Sequence, residues 1–367
     1  MRIRTLLSIL ALAGLGVTAA AWVLRAGGDA APAPVAVAES FAALEQHASD
    51  FPAPGDAPLA FPADHAAKPG QFVESWLFAG VLRDELGARW GFQLALQRVA
   101  LTQTAGQRDS AWAARDLWRA RLAIEPDGAA AVAAERVSRA ALGLAGASDA
   151  PLAAWVEDWR FELDPDGDGF RLQGAVADDR LDLRVALSDE PPIAIERAPF
   201  RGYWWPGLEV NGTLAWQGRP RAVAGRAMLD RLWGRALPAG RGQLALASLW
   251  VELADGTAAR CEQLRRRAGG GAPLTECVTT GAAAPSVELT PLESGWRTVE
   301  GMRLPLQWAL QPGDGEVSIS VAAMSSAGML SRDGSWHGVV VPQDGTPGWG
   351  LLQLGNFPAR DDRAQGR

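Results

Sequence analysis

The sequence predicts an all-β chain folded as two consecutive antiparallel barrels, and three observations carry that prediction. Apolar residues alternate with polar ones at period two from Phe61 onward, the mark of strands with one buried face. Asp-Gly pairs at Asp127-Gly128, Asp166-Gly167, Asp255-Gly256, Asp314-Gly315 and Asp333-Gly334 break the runs, as hairpin turns do. The strand-rich sequence extends over about 300 residues, more than one barrel uses.

The alternation holds strand by strand. Phe92, Leu94 and Leu96 share one face, with Gln93, Ala95 and Gln97 on the other; Trp118, Ala120, Leu122 and Ile124 oppose Arg119, Arg121 and Glu125. Trp159, Phe161 and Leu163, then Phe170, Leu172 and Val176, then Leu181, Leu183, Val185 and Leu187 continue it. Leu249, Val251 and Leu253, and Val317, Ile319 and Val321, repeat it in the C-terminal half. Residues 129–144 differ: Val132, Val137, Ala140, Ala141 and Leu144 form a stripe that predicts a helix. The Pro-rich, aromatic stretch from Pro191 to Pro206 predicts the boundary between barrels, giving domains of 55–200 and 201–360.

The N-terminus predicts export. Arg2 and Arg4 precede an uncharged run from Thr5 to Leu24, about one bilayer thickness as a helix. A cleaved signal peptide would use the small residues Thr18 to Ala21 for processing. An uncleaved anchor would keep Arg2 and Arg4 in the cytoplasm. Residues 1–25 are thus a signal peptide or membrane anchor. Residues 26–54, rich in Ala, Pro, Gly and Asp, are a linker with a short helix around Phe41 to His47. Either reading places the remainder in the periplasm, tethered to the inner membrane or free.

The net charge of −7 argues against nucleic acid as a partner. Lys68 is the only Lys, so the abundance of Arg reflects composition, and an Arg cluster is weak evidence for an anion site. Cys261 and Cys277 flank a Gly- and Pro-rich turn. A hairpin centred on Gly269 sets them opposite each other, and Leu264 opposite Leu274, within disulfide reach; two reduced, buried thiols are the alternative. No cofactor motif is present, and no His lies near either Cys to suggest a metal. Asp164-Pro165-Asp166-Gly167-Asp168-Gly169 resembles the start of a calcium loop, but its twelfth position is Ala175 rather than Glu. Ser335-Trp336-His337 sets Ser and His on one strand face without the turn that exposes a serine nucleophile.

Two segments carry the candidate chemistry. In the first, Phe61-Pro62-Ala63-Asp64-His65 precedes Glu74-Ser75-Trp76. Asp64 beside His65 either tunes the imidazole for acid–base work or forms a polar turn leading into the first strand. Glu74 and Trp76 share a strand face, where a carboxyl beside an indole inside a barrel becomes a proton donor of raised pKa. The second segment is Met228-Leu229-Asp230-Arg231-Leu232-Trp233-Gly234. Asp230-Arg231 there is either reactive or an architectural tie between strand and loop.

Taken together these segments resemble the AttH/carotenoid 1,2-hydratase family of lipocalin-like proteins. Phe61 to His65 looks like the family's F-P-x-D-H, Glu74-Ser75-Trp76 its E-W-W, and Met228 to Trp233 its M-D-R-E-W. Gly91-Phe92-Gln93-Leu94, Ser110-Ala111-Trp112, Glu135-Arg136-Val137-Ser138-Arg139, Val156-Glu157-Asp158-Trp159 and Asn211-Gly212-Thr213-Leu214 follow in the family's order. The resemblance implies two tandem lipocalin-like barrels and a hydrophobic small molecule or lipid as ligand. It also implies an ABC-transporter permease as partner, or a hydro-lyase or isomerase activity on an apolar substrate, such as hydration of an isoprenoid double bond. For that chemistry Asp230 is the first acid candidate and His65, Asp64 and Glu74 support it. Trp76, Trp233 and Arg231 line the ligand site, the indoles suited to a carbocation. Ser75 and Leu232 depart from the two motifs at their centres, which favours binding of something apolar over proton chemistry. A ligand-free interaction module is the third reading.

Overall fold

A computed structural model describes residues 46–102, 114–280, 287–312, 318–325 and 327–358 of the chain. The N-terminal apolar run, most of the linker, Ser110-Ala111-Trp112, Asp314-Gly315 and Val317 lie outside the described residues. Among the described residues no helix is long and apolar enough to cross a membrane.

The strands form two nearly closed antiparallel barrels. The first holds β1 (Val73–Asp84), β2 (Arg89–Ala100), β3 (Asp116–Pro126), β4 (Val132–Arg139), β5 (Ala145–Asp149), β6 (Leu152–Val156), β7 (Trp159–Leu163), β8 (Gly169–Val176), β9 (Asp179–Ala186), β10 (Ile193–Arg197), β11 (Phe200–Trp216) and β12 (Arg219–Gly234). Their order is β4-β3-β2-β1-β12-β11-β9-β8-β7-β6-β5, and β10 also pairs with β11. The second holds β13 (Leu244–Leu253), β14 (Ala258–Arg266), β15 (Leu274–Thr279), β16 (Val287–Pro291), β19 (Gln307–Pro312), β20 (Ile319–Ala323), β21 (Met329–Leu330), β22 (Trp336–Pro342) and β23 (Gly348–Gly355). Between β16 and β19, β17 (Trp296–Val299) and β18 (Met302–Pro305) make a separate ribbon.

The period-two pattern explains both the cores and the seam between them. One face of β1, β2 and β3 puts Trp76, Phe78, Phe92, Leu94, Trp118 and Leu122 into the first barrel. The other face is also buried, because the second barrel packs on it. There Leu77, Ala79, Ala95, Met228 and Leu232 meet Trp250, Val339, Val341, Trp349 and Leu351. Gly91 permits the close approach: a Cβ there would stand 2.7 Å from Val339 Cγ2.

Two expectations are corrected. Residues 132–139 form β4, not a helix, paired in full register with β3. The intrinsic helix preference of Ala, under about 1 kcal/mol per residue, is outweighed by an eight-residue ladder against β3. The barrel boundary expected at 200/201 falls inside the first sheet, since β11 and β12 close that barrel. Tyr203 and Trp205 belong to its core, so the aromatic stretch is packed strand rather than connector, and the sheets change between Gly234 and Leu244.

Cys261 and Cys277 are paired residues of β14 and β15, with Leu264 opposite Leu274, and the two thiols are joined as a disulfide. Replacing both by Ser should lower the unfolding free energy by roughly 3 kcal/mol through the freed loop entropy. Denaturant unfolding checks this; an unchanged midpoint would show that the crosslink contributes nothing.

Candidate functional site

The segment before β1 lies across one end of the first barrel, where Leu59, Ala66 and Ala67 pack on the core. Asp64 ties it into a turn: its carboxylate accepts from Ala60 N at 2.7 Å and from Lys68 Nζ at 2.6 Å. Burial opposes the charge of Asp64, but Lys68 and the Ala60 N–H outweigh it and lower its pKa. The turn lowers His65 into an aromatic cage, 2 % exposed. Its Nδ1 lies 2.6 Å from Tyr203 Oη. Its ring stacks on Trp205 at 6.0 Å between centroids and meets Phe170 edge-on at 5.0 Å. Phe61 closes the cage, 4.7 Å from His65 and 5.5 Å from Trp205, and is 40 % exposed. Burial, with the charge of Arg231 added, pushes His65 down to about 4. Burial likewise raises the Tyr203 phenol. At neutral pH the two are uncharged and share one hydrogen bond.

Beneath them lies a buried ionic knot. The Glu74 carboxylate accepts from Arg98 and Arg231 and, at 2.9 Å, from Lys68 N. Arg231 lies 3.8 Å over the Trp76 ring and 5.2 Å from that of Trp233, and donates to Ala66 O at 2.8 Å and Leu232 O at 2.9 Å. Trp76 Nε1 donates to His65 O at 2.9 Å. Burial works against the charge of Glu74, but Arg231 and Arg98 outweigh it and lower its pKa. Glu74 is therefore a carboxylate rather than the proton donor its place beside Trp76 suggested. Deeper in, Trp76 stacks on Trp118 at 6.0 Å and Phe161 packs against both Trp76 and Phe170. These rings pack into the core of the first barrel beneath the segment that carries His65.

His65, Asp64, Glu74, Trp76, Arg231 and Trp233 thus come together. Asp230 does not. Successive strand residues face opposite ways, and Asp230 points into the seam between barrels, where its Oδ2 accepts from Arg260 Nε at 2.6 Å and Trp250 Nε1 at 3.0 Å. Arg231 ties β12 to the loop before β1 through Ala66 O, while Asp230 turns the other way to Arg260. Sequence reasoning missed Tyr203, Trp205, Arg98 and Lys68. A compositional signal was available for two of them: the chain's only Tyr and only Lys both bond this segment.

The seam also buries Glu125. Both carboxyl oxygens are 3.2 Å from Val339 N, and one is 3.4 Å from Gln93 Nε2. Burial raises its pKa to about 8, so it is protonated at neutral pH.

Comparison with known proteins places this arrangement. A family model described as AttH-like matches residues 52–356. The crystal structure of a putative AttH protein from Nitrosomonas europaea superposes with a TM-score of 0.66 at 22% identity, over 83% of this chain and 99% of that one. Kievitone hydratase from Nectria haematococca superposes with a TM-score of 0.58 at 12% identity, over 83% of this chain and 95% of that one. No curated protein matches the sequence.

Two outcomes follow from these charges. Glu74→Gln should cost about 3–5 kcal/mol, because it leaves the buried Arg231 guanidinium without a carboxylate and Arg98 with Asp116 alone; a denaturant midpoint within error of wild type would refute the knot. Glu125 binds its proton more tightly folded than unfolded, where its pKa is near 4.5. Its contribution to stability is complete below pH 4.5 and declines by up to about 1.4 kcal/mol per pH unit as pH rises towards 8. Wild type should therefore lose stability relative to Glu125→Gln across that window. Parallel stability profiles for the two would contradict a neutral Glu125.

Proposed function

The chain belongs to the AttH-like family, and from that premise we propose that it binds an apolar ligand, a lipid or isoprenoid, at the mouth of its first barrel. The supporting observation is the neutral His65-Tyr203 pair walled by Phe61, Phe170 and Trp205, with Phe61 turned to solvent. Ring faces take the apolar body, and a single uncharged hydrogen-bonding pair reads one hydroxyl or carbonyl. Such a site is mostly apolar with a few placed polar groups.

Binding is favoured over catalysis by the state of the acids. Hydration, the activity in the name of kievitone hydratase, would need a proton donor at the reacting atom. At this mouth Glu74 is held as a carboxylate by two arginines and Asp64 by Lys68. Asp230 faces Arg260 in the seam.

The reading includes a periplasmic location, tethered or free. The N-terminal apolar run supports it, and so does the Cys261–Cys277 disulfide, since such bonds persist in oxidising compartments. A transporter permease in the inner membrane is the partner that this location would serve.

Farnesol titrated against Trp fluorescence tests the site. Phe61→Ala should weaken binding about tenfold, roughly 1.4 kcal/mol, while Phe61→Trp retains it. Equal affinity in Phe61→Ala, or no farnesol binding by delipidated wild type, would contradict the proposal.

A further inference from the structure

The end of the first barrel that carries His65 also gathers exposed apolar surface. Among the described residues seven large apolar side chains are exposed, and four of them, Phe61, Leu101, Leu142 and Leu144, lie here. Hydrogen bonds connect the four positions. Leu101 N donates to Arg115 O at 2.7 Å, and Ala140 N donates to Asp116 O at 3.0 Å. Asp116 pairs with Arg98, which also holds Lys68 O and Gln71 O. Leu101 and the turn at 140–144 therefore border the segment that carries Phe61 and His65.

That turn is built in an unusual way. Leu142 and Gly143 have φ of 54° and 72°, and Leu144 N donates to Ala141 O at 3.0 Å. Left-handed turns take Asn, Asp or Gly, because a larger side chain crowds its own backbone there. The turn is nevertheless pinned: Trp155 Nε1 donates to Gly143 O at 2.9 Å, and Glu157 N to Leu144 O at 2.6 Å. Leu142 is thus held in a disfavoured conformation with its side chain 55 % exposed, where it adds little to the core. Backbone strain of this kind collects at functional positions.

Two cations accompany the leucines. Arg115 and Arg139 are exposed, and among the described residues neither has a carboxylate partner. The acids around them are engaged: Asp116 by Arg98, Asp64 by Lys68, and Glu157 and Asp158 by Arg136. Exposed leucines beside unpaired arginines suit the boundary between anionic lipid headgroups and acyl chains. The chain also enters the fold at this end. Phe51 packs on Phe72, just before β1, and its carbonyl accepts from Arg235 Nε at 2.8 Å, just after β12. A tether made from the apolar run Thr5 to Leu24 therefore attaches at the leucine-bearing end.

We propose that this end is a membrane-docking surface. Leu101, Leu142 and Leu144 enter the headgroup–acyl boundary, and Arg115 and Arg139 meet anionic lipid phosphates. The surface rests on the membrane-side location proposed for the chain, and it needs no ligand at His65. It sets the Phe61 mouth at the lipid surface, where an apolar molecule passes between bilayer and barrel without crossing water.

Site-specific fluorescence on the full chain tests the surface. The chain's two cysteines are joined as a disulfide, so a single introduced cysteine carries a nitrobenzoxadiazole dye. Vesicles of phosphatidylcholine and phosphatidylglycerol, with a doxyl-labelled phosphatidylcholine as quencher, supply the membrane. Dye at Leu142→Cys or Leu144→Cys should shift its emission to the blue and lose intensity to the quencher. Dye at Leu86→Cys, in the β1–β2 turn, should do neither. Arg115→Gln combined with Arg139→Gln should lessen the loss at Leu142→Cys when phosphatidylglycerol is present. The proposal is overturned if Leu142→Cys and Leu144→Cys are not quenched, if Leu86→Cys is quenched equally, or if the arginine substitutions change nothing. Quenching at these leucines in a protein that fails to bind farnesol would contradict the ligand reading alone.

Discussion

The buried contact of Glu74 with Arg231 and Arg98 organises the first barrel's working end. Arg231 has no other carboxylate, Arg98 shares Asp116 at 2.7 Å, and the Glu74 carboxylate is not stable in the barrel without them. Their spare donors then fix backbone that belongs to no sheet. Arg231 holds Ala66 O, Arg98 holds Lys68 O and Gln71 O, and Glu74 takes Lys68 N. The segment so held carries His65. The knot is thus architecture, and its consequence is the placement of a neutral imidazole against Tyr203.

Strand geometry then divides the chemistry in two. Residues 230 and 231 are adjacent in sequence, yet one faces the second barrel and the other the first barrel's interior. β1, β2, β3 and β12 are buried on both faces, so the polar side chains they carry lie in apolar surroundings on either side. Inside the barrel these form the Glu74 knot. In the seam they form the contacts of Asp230 with Arg260, Glu125 with Val339, and Arg119 with Asp333. Burial raises the pKa of Glu125, which has no cation beside it, while the arginines beside Glu74 and Asp333 lower theirs.

Much of this was legible in the residues. Alternation at Phe92 to Gln97 and Trp118 to Glu125 assigned inward and outward faces correctly, and the turn at Gly269 set the Cys261–Cys277 register. The F-P-x-D-H segment and the Glu74-Trp76 strand, read as one candidate site, lie together at one end of the first barrel. What was hidden depends on long-range pairing. Val132 to Arg139 has the composition of a helix and becomes a strand through β3. Phe200 to Trp205 reads as an aromatic connector and becomes the strand that supplies Tyr203 and Trp205. Asp230 follows a family motif, and only the pleat shows that it faces away from His65. Arg98 and Tyr203 carry no motif, so their roles appear only once β1 lies between β2 and β12.

The central claim is that an apolar ligand docks against the uncharged His65-Tyr203 pair. The chain has three His residues, so imidazole nitrogen resonances can be assigned by single substitutions. At pH 7 the account predicts a neutral His65 whose ring nitrogens shift on saturation with farnesol while those of His47 stay fixed. A charged His65, or one whose signals ignore a bound ligand, would contradict it.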